Sequence, residues 1–321
     1  MRIGTRSSAM AMAQTDEVAR RLRAAAAGVV PEICAMKPSG DVDQVSRLDR
    51  HGGKGGAFVA DIRAAMTAGE LECAMHSLKD MPGNEETPGF VVAAYLTREA
   101  PEDALVVRPG LDVADVLASK AAGLRIGTNA VRRAAYLKRL FPEAEVIHYR
   151  GAADTRLRKL DEGVPQKLPD GGETPPADLL VCAKNGLVRI GRGDRVAHTF
   201  SPDEILPAIG QGIVAVECHA RDWPTRTALG AIDDEVSRVS AEAEREILWV
   251  LDGHCNSPIA GFAEIRSTTM RLKAAVLSLD GAEILEAEAT GPIDHPRTLG
   301  RQVALKLRDL GADRLIEASR V

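Results

Sequence analysis

Short apolar runs alternate with amphipathic stretches along most of this chain, and that alternation limits what it can fold into. Arg2 to Thr5 reads as a strand. Ala9 to Ala27 reads as a helix on which Met12, Val18, Ala19 and Leu22 share a face. Ile33 to Lys37 is a second strand and Phe58 to Ala68 a second helix, stopped by Gly69. The polar, glycine-rich stretch 38–56, ending in His51-Gly-Gly-Lys-Gly-Gly56, is expected to be a loop. The pattern then starts again. Asp103 to Val107 is strand-like, Asp112 to Ala118 helical, and Leu124-Arg-Ile-Gly-Thr128 echoes Arg2-Ile-Gly-Thr5 before the helix Val131 to Leu140. Val146 to Tyr149 and Asp178 to Ala183 are further strands, and Thr155 to Glu162 a further helix. Strands separated by helices predict an α/β layer structure, and the echo predicts two similar α/β domains facing each other. Four prolines and three glycines make 163–177 an expected exposed insertion. After the helix Ser237 to Leu251, strands Met270 to Leu279 and Ala282 to Thr290 and a helix near 296–310 form a separate α+β unit.

Composition removes several function classes. With Lys+Arg 41 against Asp+Glu 46 the net charge is -5, which disfavours a nucleic-acid coat, and 3% aromatic residues leave little for base stacking. No run of about 18 apolar residues predicts a membrane span. The five cysteines, Cys34, Cys73, Cys182, Cys218 and Cys255, make no CxxC pair, and no metal site is expected. That usage, with no apolar secretory core near Met1, fits a reducing cytoplasm.

The chemistry-bearing residues gather where strands hand over to helices. His76-Ser77-Leu78-Lys79-Asp80-Met81-Pro82 follows an apolar strand, with proline holding the turn open. Arg6, Arg132, Arg133, Arg150, Arg156 and Arg189 stand at junctions on one expected sheet edge. Arginine grips carboxylate or phosphate through paired hydrogen bonds, so an acidic protein with this many on one edge is expected to bind a polyanion there. No G-x-x-x-x-G-K-[ST] or strand-linked G-x-G-x-x-G is present, which points away from nucleotides and toward a small polycarboxylate. Cys255, in Asp252-Gly-His-Cys-Asn-Ser-Pro258, lies on a turn beside His254 and is either an accessible thiol or a loop cysteine without a role.

Taken in order, Ile3-Gly-Thr-Arg-Ser-Ser8, Gly52-Gly-Lys-Gly55, His76-Ser-Leu-Lys-Asp-Met-Pro82, Gly127-Thr128 with Arg132-Arg133, Arg150-Gly151 with Thr155-Arg-Leu157, Leu206-Pro-Ala-Ile-Gly-Gln-Gly212, and Gly253-His-Cys255 with Pro258-Ile259 resemble the hydroxymethylbilane synthase (porphobilinogen deaminase) family over nearly the whole chain. The resemblance implies two periplasmic-binding-protein-like α/β domains around a cleft, residues 1–98 with 213–232 and residues 99–212. A C-terminal α+β domain, 233–321, would carry the cofactor cysteine. It implies a transferase of porphyrin biosynthesis that condenses porphobilinogen stepwise onto a dipyrromethane joined to Cys255 by a thioether, then releases a linear tetrapyrrole. Asp80 would be catalytic. Ser8, Ser77, Lys79, Thr128, Arg132, Arg133, Arg156 and Arg189 would hold the cofactor; Arg6, Arg150, Arg156 and Lys54 would hold substrate. A cytoplasmic monomer with no nucleic-acid or membrane partner is expected.

Several positions depart from the family pattern. Asn129 and Ala130 replace two serines, Ala152-Ala-Asp154 replaces a run that commonly carries asparagine, His254 replaces the glycine before the cysteine, and Asn185 with Lys184 precedes Gly186-Leu187. These keep two alternatives open: a diverged paralogue making a shorter or modified oligopyrrole, and a non-catalytic binder of a carboxylate ligand.

Overall fold

A computed structural model of the chain describes residues 1–36, 57–167, 171–254 and 256–320. Two five-stranded sheets carry the first two-thirds. In the first, β2 (Glu32–Met36), β1 (Arg2–Arg6), β3 (Cys73–Ser77), β12 (Val214–His219) and β4 (Phe90–Tyr95) lie side by side in that order. In the second the order is β7 (Glu145–His148), β6 (Arg125–Thr128), β10 (Leu179–Ala183), β5 (Asp103–Val107) and β11 (His198–Phe200). Each sheet has three parallel strands, then one antiparallel strand, then an edge strand antiparallel to that one.

The Ile-Gly-Thr echo therefore has a structural meaning: β1 and β6 hold the same place in two sheets of like topology. In both, glycine is needed because a neighbour lies against the strand. A Cβ on Gly4 would sit 2.5 Å from Leu71 Cδ1, and one on Gly127 would sit 2.8 Å from Tyr149 Cγ.

Helices cover the sheets for ordinary reasons. Helix α1 (Ala9–Ala25) starts where Ser8 Oγ accepts from Ala11 N (3.3 Å). Its buried residues Ala11, Gln14, Thr15, Val18, Ala19 and Leu22 recur at helical spacing, and its apolar ones pack with Ile3, Cys73, Met75 and Val216. Helices α2 (Ala57–Thr67), α3 (Val113–Ala118), α4 (Val131–Leu140), α5 (Ala153–Glu162) and α6 (Lys184–Arg189) follow; Asp112 caps α3, while α4, α5 and α6 start without a side-chain cap.

The antiparallel strand of each sheet is reached by a crossing of the chain, first along 96–102 into β5 and later along 201–213 into β12. The two crossings are bonded to each other: Leu96 N donates to Val214 O (2.9 Å), Glu99 N to Gly212 O (3.0 Å) and Arg98 Nε to Gln211 O (3.0 Å).

The third unit is an antiparallel meander, β13 (Ile259–Arg266), β14 (Thr269–Leu277) and β15 (Ile284–Pro292). One face packs on α8 (Glu235–Val250) and α9 (Pro296–Asp309), through Ala243, Ile247, Val303 and Leu307. The other face joins the core under α4 through Ala275, Leu277 and Tyr136. Helix α7 (Trp223–Gly230) lies between β12 and α8 in the chain, and α10 (Ala312–Ala318) adds a last helix that the sequence pattern does not predict. Buried Glu244 of α8 ties all this to the crossings, accepting from Arg98, from Gly210 N (2.7 Å) and from Ala263 N (2.9 Å).

The expected insertion at 163–177 is not simply exposed. Gln166–Lys167 (β8) pairs with Glu173–Thr174 (β9), and Gln166 and Ala177 are buried. Among the described residues no helix is long and apolar enough to cross a membrane.

Candidate active site

The expected site residues follow the carboxyl ends of parallel strands, the edge at which open α/β sheets bind ligands. Arg6 ends β1, and Ser8 caps α1 just beyond it. Ser77 ends β3, with Lys79 and Asp80 on the single 3₁₀ turn Leu78–Asp80. Thr128 ends β6, and Arg132 and Arg133 lie in the first turn of α4. Arg150 follows β7, and Arg156 lies in the first half of α5. Arg189 departs from expectation: it is the last residue of α6, not at the strand-to-helix junction. Lys54 and Cys255 lie outside the described residues, as does the expected loop 38–56.

The Asp80 turn is held from below. Leu78 is buried, its N–H donates to Ile213 O (3.0 Å), and Gly210 (φ +72) leaves the room its side chain fills. Arg245 of α8 donates to Pro82 O (2.6 Å). His76 braces the strand before the turn, with Nε2 3.4 Å from Glu217 Oε2, and Arg63 Nη2 holds the same carboxylate at 2.8 Å. Ser77 Oγ bonds the Gln14 side-chain amide (3.0 Å). Asp80 itself is exposed, at the rim of this braced turn.

The two sheets meet at Gln211. Its Oε1 accepts from Lys79 Nζ (3.3 Å) and from Arg133 Nη2 (3.1 Å), while its Nε2 donates to Asp103 Oδ1 (2.9 Å) and Pro101 O (2.6 Å). Asp103 is fully buried and also accepts from Arg132 Nη2 (2.6 Å) and Arg133 Nε (2.9 Å). Arg132 Nη1 donates to Leu206 O (2.7 Å). Asp103 and Gln211 are thus parts of the site that residue-type reasoning did not single out. Gln211 was visible only as one letter of the motif 206–212. Asp103 looked like the polar start of an apolar strand.

Arg132 and Arg133 bond this buried carboxylate and Lys79 is linked to it through Gln211, so the edge carries surplus positive charge. Burial, reinforced by Arg133, pushes the Lys79 ammonium down to about 8. Arg156 is 9% exposed, and its Nε and Nη1 are buried without a hydrogen-bond partner. A buried guanidinium left half unpaired is costly, so these atoms suit a carboxylate ligand. A bound dipyrromethane, which brings several carboxylates, fits this donor set. Arg189 has a charge partner, its Nε lying 2.8 Å from Glu99 Oε2 on the first crossing, yet its Nε and Nη2 are likewise buried without a hydrogen-bond partner. Thr128 Oγ1 accepts from Ala130 N (3.4 Å) across the turn that leads into α4. A cavity of about 630 Å³ opens beside α1, α5 and α6, lined in part by Ala9, Asp154, Arg158 and Arg189. The acid introduced at Asp154 therefore faces solvent space next to an expected carboxylate-binding arginine.

Comparison with known proteins gives the family. A family model described as "Porphobilinogen deaminase, dipyromethane cofactor binding domain" matches residues 1–227, and one described as "Porphobilinogen deaminase, C-terminal domain" matches residues 239–309. Porphobilinogen deaminase of Syntrophobacter fumaroxidans is 36% identical over 317 residues, covering 99% of this chain and 97% of that one. Porphobilinogen deaminase 2 of Streptomyces coelicolor is 39% identical over 320 residues, covering 99% and 96%. Among solved structures, the second substrate binding domain of a putative amino acid ABC transporter from Streptococcus pneumoniae has a TM-score of 0.39 at 12% identity, covering 79% of this chain and 98% of that one. On the two family models and on full-length relatives sharing more than a third of its residues, the chain belongs to the porphobilinogen deaminase family.

Proposed function

We propose that this protein removes ammonia from porphobilinogen and joins the pyrroles one at a time onto a dipyrromethane held covalently by Cys255, releasing the linear tetrapyrrole hydroxymethylbilane. The observation that carries the reading is the surplus of buried positive charge beside the Asp80 turn, with Arg156 left unpaired. When bound, the dipyrromethane supplies a nucleophilic pyrrole α-carbon. This chain's residues do the rest. In each condensation the substrate's C–N bond breaks and ammonia leaves. The bound group would supply the α-carbon that takes the substrate's methylene carbon in place of its proton, and at release water would supply the product's hydroxyl and return a proton to that carbon. Positive charge develops on pyrrole nitrogen, and the Asp80 carboxylate faces it and stabilises it. The same carboxylate moves the protons at the leaving amine and at the α-carbon.

Ser8, Ser77, Lys79, Thr128, Arg132, Arg133, Arg156 and Arg189 hold the cofactor's carboxylates, and Arg6, Lys54, Arg150 and Arg156 those of the incoming pyrrole. Within that set, Asp103 and Gln211 fix the direction of Lys79, Arg132 and Arg133. The domain division 1–98 with 213–232, 99–212 and 233–321 puts the cleft between the two sheets. The protein acts as a cytoplasmic monomer without a nucleic-acid partner.

Incubation with porphobilinogen tests the reading. One ammonia per pyrrole joined, with a linear tetrapyrrole as product, is the expected result. A product of one to three pyrroles would replace the tetrapyrrole ending with a shorter oligomer, and no ammonia at all would overturn the function. Because the Lys79 charge is lost as pH rises through about 8, kcat/KM is expected to fall there, and Lys79→Arg removes that limb.

A further inference from the structure

The cavity of about 630 Å³ beside α1, α5 and α6 has the size of a small-molecule site. Ala9 lines it from the start of α1, Asp154 and Arg158 from α5, and Arg189 and Arg192 from the end of α6 and the turn beyond. A Cβ on Gly186 would lie 3.5 Å from Met10 Cε, so α1 and α6 touch beside it. The cavity thus opens where the units built on the two sheets meet. It adjoins the expected ligand-holding residues, since Ala9 follows Ser8 and Asp154 stands between Arg150 and Arg156 in the chain.

The other acids of its wall already have cations. Arg158 Nη1 lies 2.7 Å from Glu162 Oε2, and Arg195 Nη1 lies 2.7 Å from Asp161 Oδ2. Asp154 is exposed and forms no ion pair with any of the described residues. On the opposite side of the charge balance, Arg189 has a side chain only 9% exposed and two donors without a hydrogen-bond partner. One wall therefore offers an unmatched carboxylate and unmatched guanidinium donors together. That combination suits a small molecule carrying both an ammonium and a carboxylate. Porphobilinogen is such a molecule, with two carboxylates and a protonated aminomethyl group. Arginines alone would admit any pyrrole acid, the released product included. A carboxylate on the approach favours the pyrrole that still has its ammonium and repels acids without one.

We propose that Asp154 pairs with the aminomethyl ammonium of incoming porphobilinogen in this cavity, which makes it a specificity-determining residue for the reaction. The proposal rests on the reading that porphobilinogen is the substrate. Asp154 also lies in the first turn of α5, where an acid suits the helix dipole, so stability alone does not reveal what it binds.

The test uses the full-length protein with its covalent adduct in place. KM for porphobilinogen is read from ammonia release, and inhibition is measured with the same pyrrole diacid bearing methyl in place of aminomethyl. Asp154→Asn is expected to raise KM about tenfold with kcat within about twofold, as for loss of one hydrogen bond to a charged group. The inhibition constant of the amine-free diacid is expected to stay level or fall in that variant, because a repelling carboxylate has gone. The two ligands thus move apart, which a merely structural role would not produce. A KM in Asp154→Asn equal to wild type, or an inhibition constant that rises in step with KM, would overturn the role of Asp154 alone. No ammonia from the wild-type protein would overturn the substrate reading itself.

Discussion

Asp80→Asn is expected to leave the protein folded and to cut its turnover of porphobilinogen by roughly 10²–10⁴-fold. Both halves of the expectation follow from placement. The turn is fixed by Leu78 under Gly210, by Arg245 on the Pro82 carbonyl and by the His76–Glu217–Arg63 cluster behind β3. Asp80 contributes nothing to that bracing and stands exposed, so the amide costs little stability. It does remove the one negative charge on the turn that can face a pyrrole N–H bearing positive charge. The cations proposed to grip carboxylates remain, so KM should move only a few-fold while kcat falls. Ammonia release under saturating substrate measures this, and a kcat within tenfold of wild type would contradict the role given to Asp80.

Asp103→Ala is expected to destabilise the protein by about 3–5 kcal/mol, the range for removing one partner of a buried ion pair. The loss strands Arg132 and Arg133, both buried, and takes an acceptor from Gln211. Urea unfolding reads the change directly, and a loss under about 1 kcal/mol would show that the network is not structural. The same pairing has a pH signature. Burial alone would raise the Asp103 carboxyl, but Arg132 and Arg133 hold it down at about 2. A carboxyl whose folded value lies below its unfolded value of about 3.9 adds stability above that pH and loses it as pH falls toward the folded value. Wild type should therefore lose this contribution between about pH 4 and pH 2, and Asp103→Ala should lack that part of the acid limb.

Particular residues show why some of this was legible and some was not. The Ile-Gly-Thr echo could be read because a glycine in a strand reports a close neighbour, and Gly4 and Gly127 both have one. The α1 face could be read in part: Val18, Ala19 and Leu22 are buried as expected, while Met12 is half-buried and Ala11, Gln14 and Thr15 complete the face. The arginines were visible as a class because so many recur at strand-to-helix junctions in a chain of net charge -5. What each does was not, since that depends on partners remote in the chain. Asp103 finds Arg132 across 29 residues and Gln211 across 108. Arg189 meets Glu99 only because the crossing segment passes the end of α6. The prolines and glycines of 163–177 argue for an exposed insertion, yet β8 and β9 pair there and Gln166 is buried, its Oε1 accepting from Lys159 Nζ (3.1 Å).

The central claim is that the buried cations exist to hold a pyrrole chain anchored on Cys255. Intact mass of the purified protein, followed by peptide mapping, tests this most directly. The account predicts an increment equal to two porphobilinogen units less two molecules of ammonia, carried by the peptide containing Cys255 and absent from Cys255→Ala. A protein that stays at its sequence mass after incubation with porphobilinogen, or an increment that maps to another cysteine, would contradict it.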